Sequence, residues 1–178
     1  DRAKGVTLHC LASVLLGSQM KAGEQAVKMI VDEELGVPKG ATIMVDGSRV
    51  TKGGAAFANS EMALAGGKWD TFRMLTHPGT GIIPTALAAA EVCGASGKDF
   101  LTGVVAGYEV SERMAADFIP TLMARGFRRS SVAATMPCAG RAGQAAACAK
   151  LSAWPRLCRF RRRRRRAPGE SRGARRGR

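Results

Sequence analysis

Aromatic residues are scarce, with two Trp, one Tyr and six Phe in 178 residues. An aromatic-rich β-sandwich core is therefore not expected. The abundance of Ala and Gly points instead to helices packed closely through small residues. No apolar run approaches the ~20 residues of a transmembrane helix, so no membrane span is expected. Histidine occurs only twice, at His9 and His77. The five cysteines, Cys10, Cys93, Cys138, Cys148 and Cys158, are odd in number and contain no Cys-x-x-Cys pair. Neither a zinc site nor a disulfide framework is expected from them, and they read as buried or free thiols of a reducing, cytoplasmic setting. The start, Asp1-Arg2-Ala3-Lys4, lacks the pattern of a secretory signal and an initiator Met, which suggests a chain beginning inside a longer one.

Acidic residues are nearly missing from one end. Residues 151–178 hold twelve Arg and a single acid, Glu170, for a net +11, and residues 1–150 hold 16 Lys/Arg against 13 Asp/Glu, for a net +3. The overall charge of +14 is thus a property of the tail, and the body is an almost neutral globular chain. Arg161 to Arg166 is an unbroken Arg run followed by Ala167-Pro168-Gly169. Like charges repel there and little apolar surface is available to bury, so disorder is expected.

The hydrophobic period places helices at about residues 3–16 and 23–35, with Gly36 after the second in the left-handed position that ends helices. Between residues 41 and 51 the period changes, and Asp46-Gly47 suggests a tight primed turn in a small hairpin. Further helices are expected at about 54–65, 83–92 with Pro84 in the first turn, 98–118 ending at Pro120, and 139–151. Residues 66–80 form a loop with polar, specific chemistry: Trp69-Asp70-Thr71, then Thr76-His77-Pro78-Gly79. The expected fold class is mainly α, a partial all-α helical domain with one short β-hairpin over residues 1–151. A disordered basic tail over residues 152–178 follows.

The ordered set Gly54-Ala55-Ala56-Phe57-Ala58-Asn59, Asp70-Thr71, Thr76-His77-Pro78-Gly79, Pro84 to Glu91, Gly94 to Asp99, Gly107-Tyr108-Glu109-Val110, Arg113 and Gly126-Phe127 resembles the MmgE/PrpD family. The resemblance covers about residues 3–151. That family includes 2-methylcitrate dehydratase, cis-aconitate decarboxylase and iminodisuccinate epimerase. The resemblance implies a large helical domain joined to a smaller α+β lid, usually as a homodimer. It also implies lyase or isomerase action on a small di- or tricarboxylate substrate, without metal or organic cofactor. Family members are more than twice this length, so the chain looks like the N-terminal part of the helical domain, incomplete and lacking part of its pocket.

Proton transfer at a carbon beside a carboxylate needs a base near that carbon and polar or cationic groups around the carboxylates. His77 is the natural acid/base, because an imidazole exchanges a proton near neutral pH. Pro78 and Gly79 are expected to fix a turn and let substrate approach the backbone. In the family the matching loop carries an Asp-Asp-Thr-His-like stretch and a His-Pro-like pair in the active site. The resemblance therefore implies catalytic roles for His77 and Asp70, and substrate binding by Thr71. His9 reads as structural, and Tyr108 and Arg113 as packing and ion-pairing positions.

Three positions depart from the family pattern. Trp69 stands where an acid is common, Phe72 where a His often follows Thr, and Arg128 where a His commonly follows Gly-Phe. Arg cannot serve as a base at neutral pH, but it can grip a carboxylate bidentately, so Arg128 is a substrate-binding candidate. From Ser152 onward the pattern is lost in a stretch rich in Arg, Gly, Ala and Pro, as a shifted reading frame in a GC-rich gene would produce. The rival function is a non-enzymatic binding protein whose Arg-rich tail attaches non-specifically to nucleic acid or anionic surfaces.

Overall fold

The computed structural model describes residues 1–71 and 76–126. Arg128, Phe72, the expected helix at 139–151 and the Arg-rich tail lie outside the described residues. Five helices and one hairpin follow one another: α1 (Arg2–Gly17), α2 (Lys21–Glu34), β1 (Ala41–Thr42), β2 (Arg49–Val50), α3 (Lys52–Ala65), α4 (Gly79–Cys93) and α5 (Gly97–Ala124). The mainly α class with one short hairpin is the observed one. None of the described helices is long and apolar enough to cross a membrane.

Helix α3 is the hub, packing against α1, α2 and α4, while α5 packs on α4. Small residues make this possible. At the α1–α3 crossing, Gly17 lies against the Met62 carbonyl and Gly66 against the Ser13 carbonyl, where any Cβ would collide with backbone. The Ser13 hydroxyl donates to the Ala63 carbonyl at 2.8 Å across the same contact. The core gathers Cys10, Val14, Ile30, Ile43, Met62, Ile83 and Val104 around α3. Its bulk is aliphatic, in keeping with the small aromatic content.

The hairpin pairs Ala41 with Val50 and Thr42 with Arg49. The connection is wider than the tight Asp-Gly turn expected. Ile43 N–H donates to the Ser48 carbonyl at 2.9 Å, and Asp46 N–H closes a small turn on Met44 at 2.9 Å. Positive φ falls on Val45 (72°) and Gly47 (81°), so Asp46 does not take the first place of a two-residue primed turn. The register is set from outside the hairpin. The buried Asn59 side chain accepts from Met44 N–H at 2.8 Å and donates to the Thr42 carbonyl at 3.1 Å. Glu91 accepts from Thr42 N–H at 2.8 Å and pairs with Arg49 at 3.1 Å. Asn59 and Glu91, both within the family-like motifs, thus fasten the hairpin to α3 and α4.

Two prolines behave differently from expectation. Helix α4 begins at Gly79, so Pro84 lies inside it, beyond the first turn. Helix α5 passes through Pro120 to Ala124. A helical proline frees the carbonyl four residues before it. For Pro120 that residue is Ala116, which is exposed, so water can satisfy the freed group. The ends follow local chemistry more closely. Gly94 closes α4 at φ 61°, and Ser96 with Asp99 forms a reciprocal capping box at the start of α5.

Candidate active site

Between α3 and α4, Asp70, Thr71 and His77 converge where α4 begins. Helix α4 starts after Pro78, which offers no side-chain acceptor for the unpaired N–H groups of the first turn. The Asp70 carboxylate takes that place, accepting from Gly79 N–H with both oxygens at 3.1 Å. A carboxylate at a helix N-terminus also gains from the helix dipole. Tyr108 of α5 donates its hydroxyl to Asp70 Oδ2 at 2.7 Å. Gly79 is buried, and a Cβ there would collide with the Tyr108 hydroxyl and the Asp70 carboxylate. The expectation that Gly79 leaves room for substrate is therefore corrected. Its missing side chain makes room for Asp70 and Tyr108.

His77 is half-buried beside this cap. Its Nδ1 lies 2.8 Å from the Asp70 main-chain carbonyl and 3.4 Å from Thr71 Oγ1. A carbonyl can only accept, so Nδ1 carries the proton and Nε2 is the free acceptor of the neutral ring. The Thr80 hydroxyl donates to the His77 carbonyl at 2.8 Å and fixes the main chain at the same point. The structure thus brings Asp70, Thr71 and His77 together. It gives Asp70 two tasks: its carboxylate caps α4 and its carbonyl orients the imidazole.

Trp69 departs from the family pattern, and the structure gives it a place that the sequence did not suggest. Its ring centroid stands 4.7 Å from that of His77, tilted by 49°, and its indole N–H donates to the Leu64 carbonyl at 2.9 Å. The only available signal was its position next to the Asp-Thr pair. His9 is exposed on α1. Arg113 pairs with Glu109 one turn earlier on α5, as expected of an ion-pairing position.

The surroundings of the cap shift three acidities upward. Burial, with the nearby Asp70 charge, pushes the Cys10 thiol up to about 12. The thiol lies 3.6 Å from the Gly79 carbonyl. Burial first, then the Asp70 carboxylate, keep the Tyr108 hydroxyl protonated well beyond its ordinary range. Burial pushes Glu112 up to about 7, with Asp70 adding to the effect and a hydrogen bond from Thr76 opposing it.

Among the described residues, no group of three or more His, Cys, Asp or Glu could hold a metal ion. A separate groove of about 420 Å³ between α2 and the hairpin connection is lined by Glu24, Val27, Lys28, Val31, Val45 and Asp46, among others, and shares no residue with the His77 cluster.

A half-buried imidazole with one nitrogen tied to a carbonyl thus stands beside a capped helix start. The family model described as the MmgE/PrpD N-terminal domain matches residues 1–156. The chain belongs to the MmgE/PrpD family. No curated protein and no solved structure gave a match.

Proposed function

We propose that the chain contributes the proton-transfer half of a cofactor-independent lyase or isomerase site for a small di- or tricarboxylate. The observation that carries this reading is the His77 hydrogen bond. With Nδ1 held by the Asp70 carbonyl at 2.8 Å, Nε2 is the acceptor left for a substrate C–H or C–OH proton. After transfer, the imidazolium keeps its Nδ1–H bond to the carbonyl and stands beside the Trp69 ring. Thr71 Oγ1 hydrogen-bonds a substrate carboxylate in this reading, and Arg128, outside the described residues, supplies a cation for another. Asp70 acts as a positioning residue, because its carboxylate is engaged by Gly79 and Tyr108. Loss of the hydroxyl as water, with the proton handed back by the His77 imidazolium, gives the dehydratase outcome, and protonation of the opposite face of the same carbon by a second acid gives the epimerase outcome.

The test is incubation of the full chain in D2O with 2-methylcitrate, citrate, cis-aconitate and iminodisuccinate, read by proton NMR. Deuterium incorporation at a carbon next to a carboxylate, or loss of water from it, is the expected result. His77→Gln should reduce the rate by roughly 10²–10⁴-fold, the usual worth of a general acid/base, with the helical circular dichroism unchanged. An equal rate in His77→Gln would remove His77 from the chemistry.

A further inference from the structure

Helix α5 holds the His77 segment at both ends. Tyr108 and Glu112 stand one turn apart on α5 and therefore share a face. Tyr108 takes Asp70 at the start of the segment, and Glu112 takes Thr76 at its end, accepting from the Thr76 hydroxyl at 3.3 Å. Thr76 is buried and directly precedes His77. The other carboxyl oxygen of Glu112, Oε2, is also buried and has no hydrogen-bond partner among the described residues. A buried carboxylate oxygen without a donor is costly as an anion, and the cost falls when the carboxyl takes up a proton.

We propose that Glu112 is a positioning residue for His77: through Thr76 it sets the segment that carries the imidazole, and it holds that segment most firmly when its carboxyl is neutral. The proposal rests on His77 being the acid/base group. Burial and the Asp70 charge favour its neutral form and outweigh the Thr76 hydrogen bond, which by itself favours the anion. Asp70, from the segment before α4, presents a negative charge. Tyr108, on α5 itself, and Cys10, from α1, are uncharged at neutral pH and supply no cation to the cap. The Glu109–Arg113 pair on α5 is exposed and internally compensated. With its upward-shifted acidity of about 7, Glu112 changes charge in the pH range in which His77 is proposed to work. Above that range its carboxylate repels Asp70 and seeks water, which loosens the hold on Thr76.

Hydrogen exchange of the full chain, read by mass spectrometry on peptides spanning residues 70–80, tests this without requiring turnover. After correction for intrinsic exchange, protection in the wild type should fall roughly tenfold between pH 6 and pH 8, the equivalent of one pH unit of differential protonation. Glu112→Gln keeps an acceptor for Thr76 without a titrating proton, so its protection should stay at the pH 6 level throughout. Thr76→Val removes the same bond from the other side and should be poorly protected at both pH values; it decides the matter if the Gln variant does not fold. A pH-dependent loss of protection in Glu112→Gln equal to that of the wild type, or wild-type protection in Thr76→Val, would overturn the proposal. Where turnover is measurable, Glu112→Gln should retain kcat further into the alkaline range. Turnover absent from every variant would remove the proposed activity, while the exchange data would still decide the role of Glu112.

Discussion

The Tyr108 hydroxyl and Asp70 Oδ2 lie 2.7 Å apart, and this bond joins α5 to the carboxylate that starts α4. Tyr108→Phe keeps the ring and removes only the donor. A hydrogen bond to a charged acceptor contributes about 1.5–3 kcal/mol. The lower end applies here, because Gly79 N–H still serves Asp70. Thermal or urea unfolding should show a loss of about 1.5 kcal/mol with an unchanged urea m-value.

Gly79→Ala places a methyl group into the Tyr108 hydroxyl and the Asp70 carboxylate. Neither can move without giving up a hydrogen bond. Overpacking of this kind costs about 1–3 kcal/mol. The variant should unfold earlier and should also lose most of any His77-dependent deuterium exchange, because Asp70 orients the imidazole.

Asn59→Ala should destabilise the fold by about 2 kcal/mol, since it strips partners from the Met44 N–H and the Thr42 carbonyl together. Asn59→Asp should not rescue it, because a carboxylate cannot donate to that carbonyl. Chemical denaturation of both variants checks this.

Stability should depend on Glu112 with a definite sign. Its folded-state value of about 7 lies above the ordinary 4.5, so between these values the folded protein holds a proton that the unfolded chain has released. Stability contributed by this group is complete below about 4.5 and is lost as pH rises through about 7. Glu112→Gln removes the loss. After allowance for screening of a partly exposed group, its melting temperature should match the wild type near pH 4.5 and exceed it by about 3 °C at pH 8.

Alkylation should separate two thiols. Cys10 is buried with its thiol pushed up to about 12, while Cys93 is exposed. At pH 8 only about one Cys10 in 10⁴ is thiolate, the reactive form. Iodoacetamide followed by peptide mapping should modify Cys93 and spare Cys10 in the native protein. Both should react in denaturant.

Much of the fold is legible in the sequence because local chemistry dictates it. The helical period of α1 and α2, Gly36 and Gly94 after their helices, and the Ser96–Asp99 box are short-range signals. The misplaced features have long-range causes. Helix α4 starts at Gly79, four residues before the start that the sequence suggests, because its cap is Asp70, which is remote from the helix in sequence and lies beyond a proline. The hairpin connection is wider than Asp46-Gly47 suggests because Asn59 and Glu91, from two helices, fix Thr42 and Met44.

The residue types by themselves determined a small-residue helical body, a charge confined to the tail, and one loop, Trp69 to Gly79, holding the distinctive chemistry. Spacing could bring Asp70 and His77 within a few residues, but it could not say that the Asp70 carbonyl, and not its carboxylate, orients the ring. Nor could it show that Trp69 backs that ring, or that Tyr108 and Glu112 close on the segment from α5. Those contacts span 36 or 38 residues of chain for the two α5 groups, and only the packing of α5 on α4 brings them to the same cap. Local periodicity sets where a helix forms. Which of its faces meets a particular loop is a property of the packed whole.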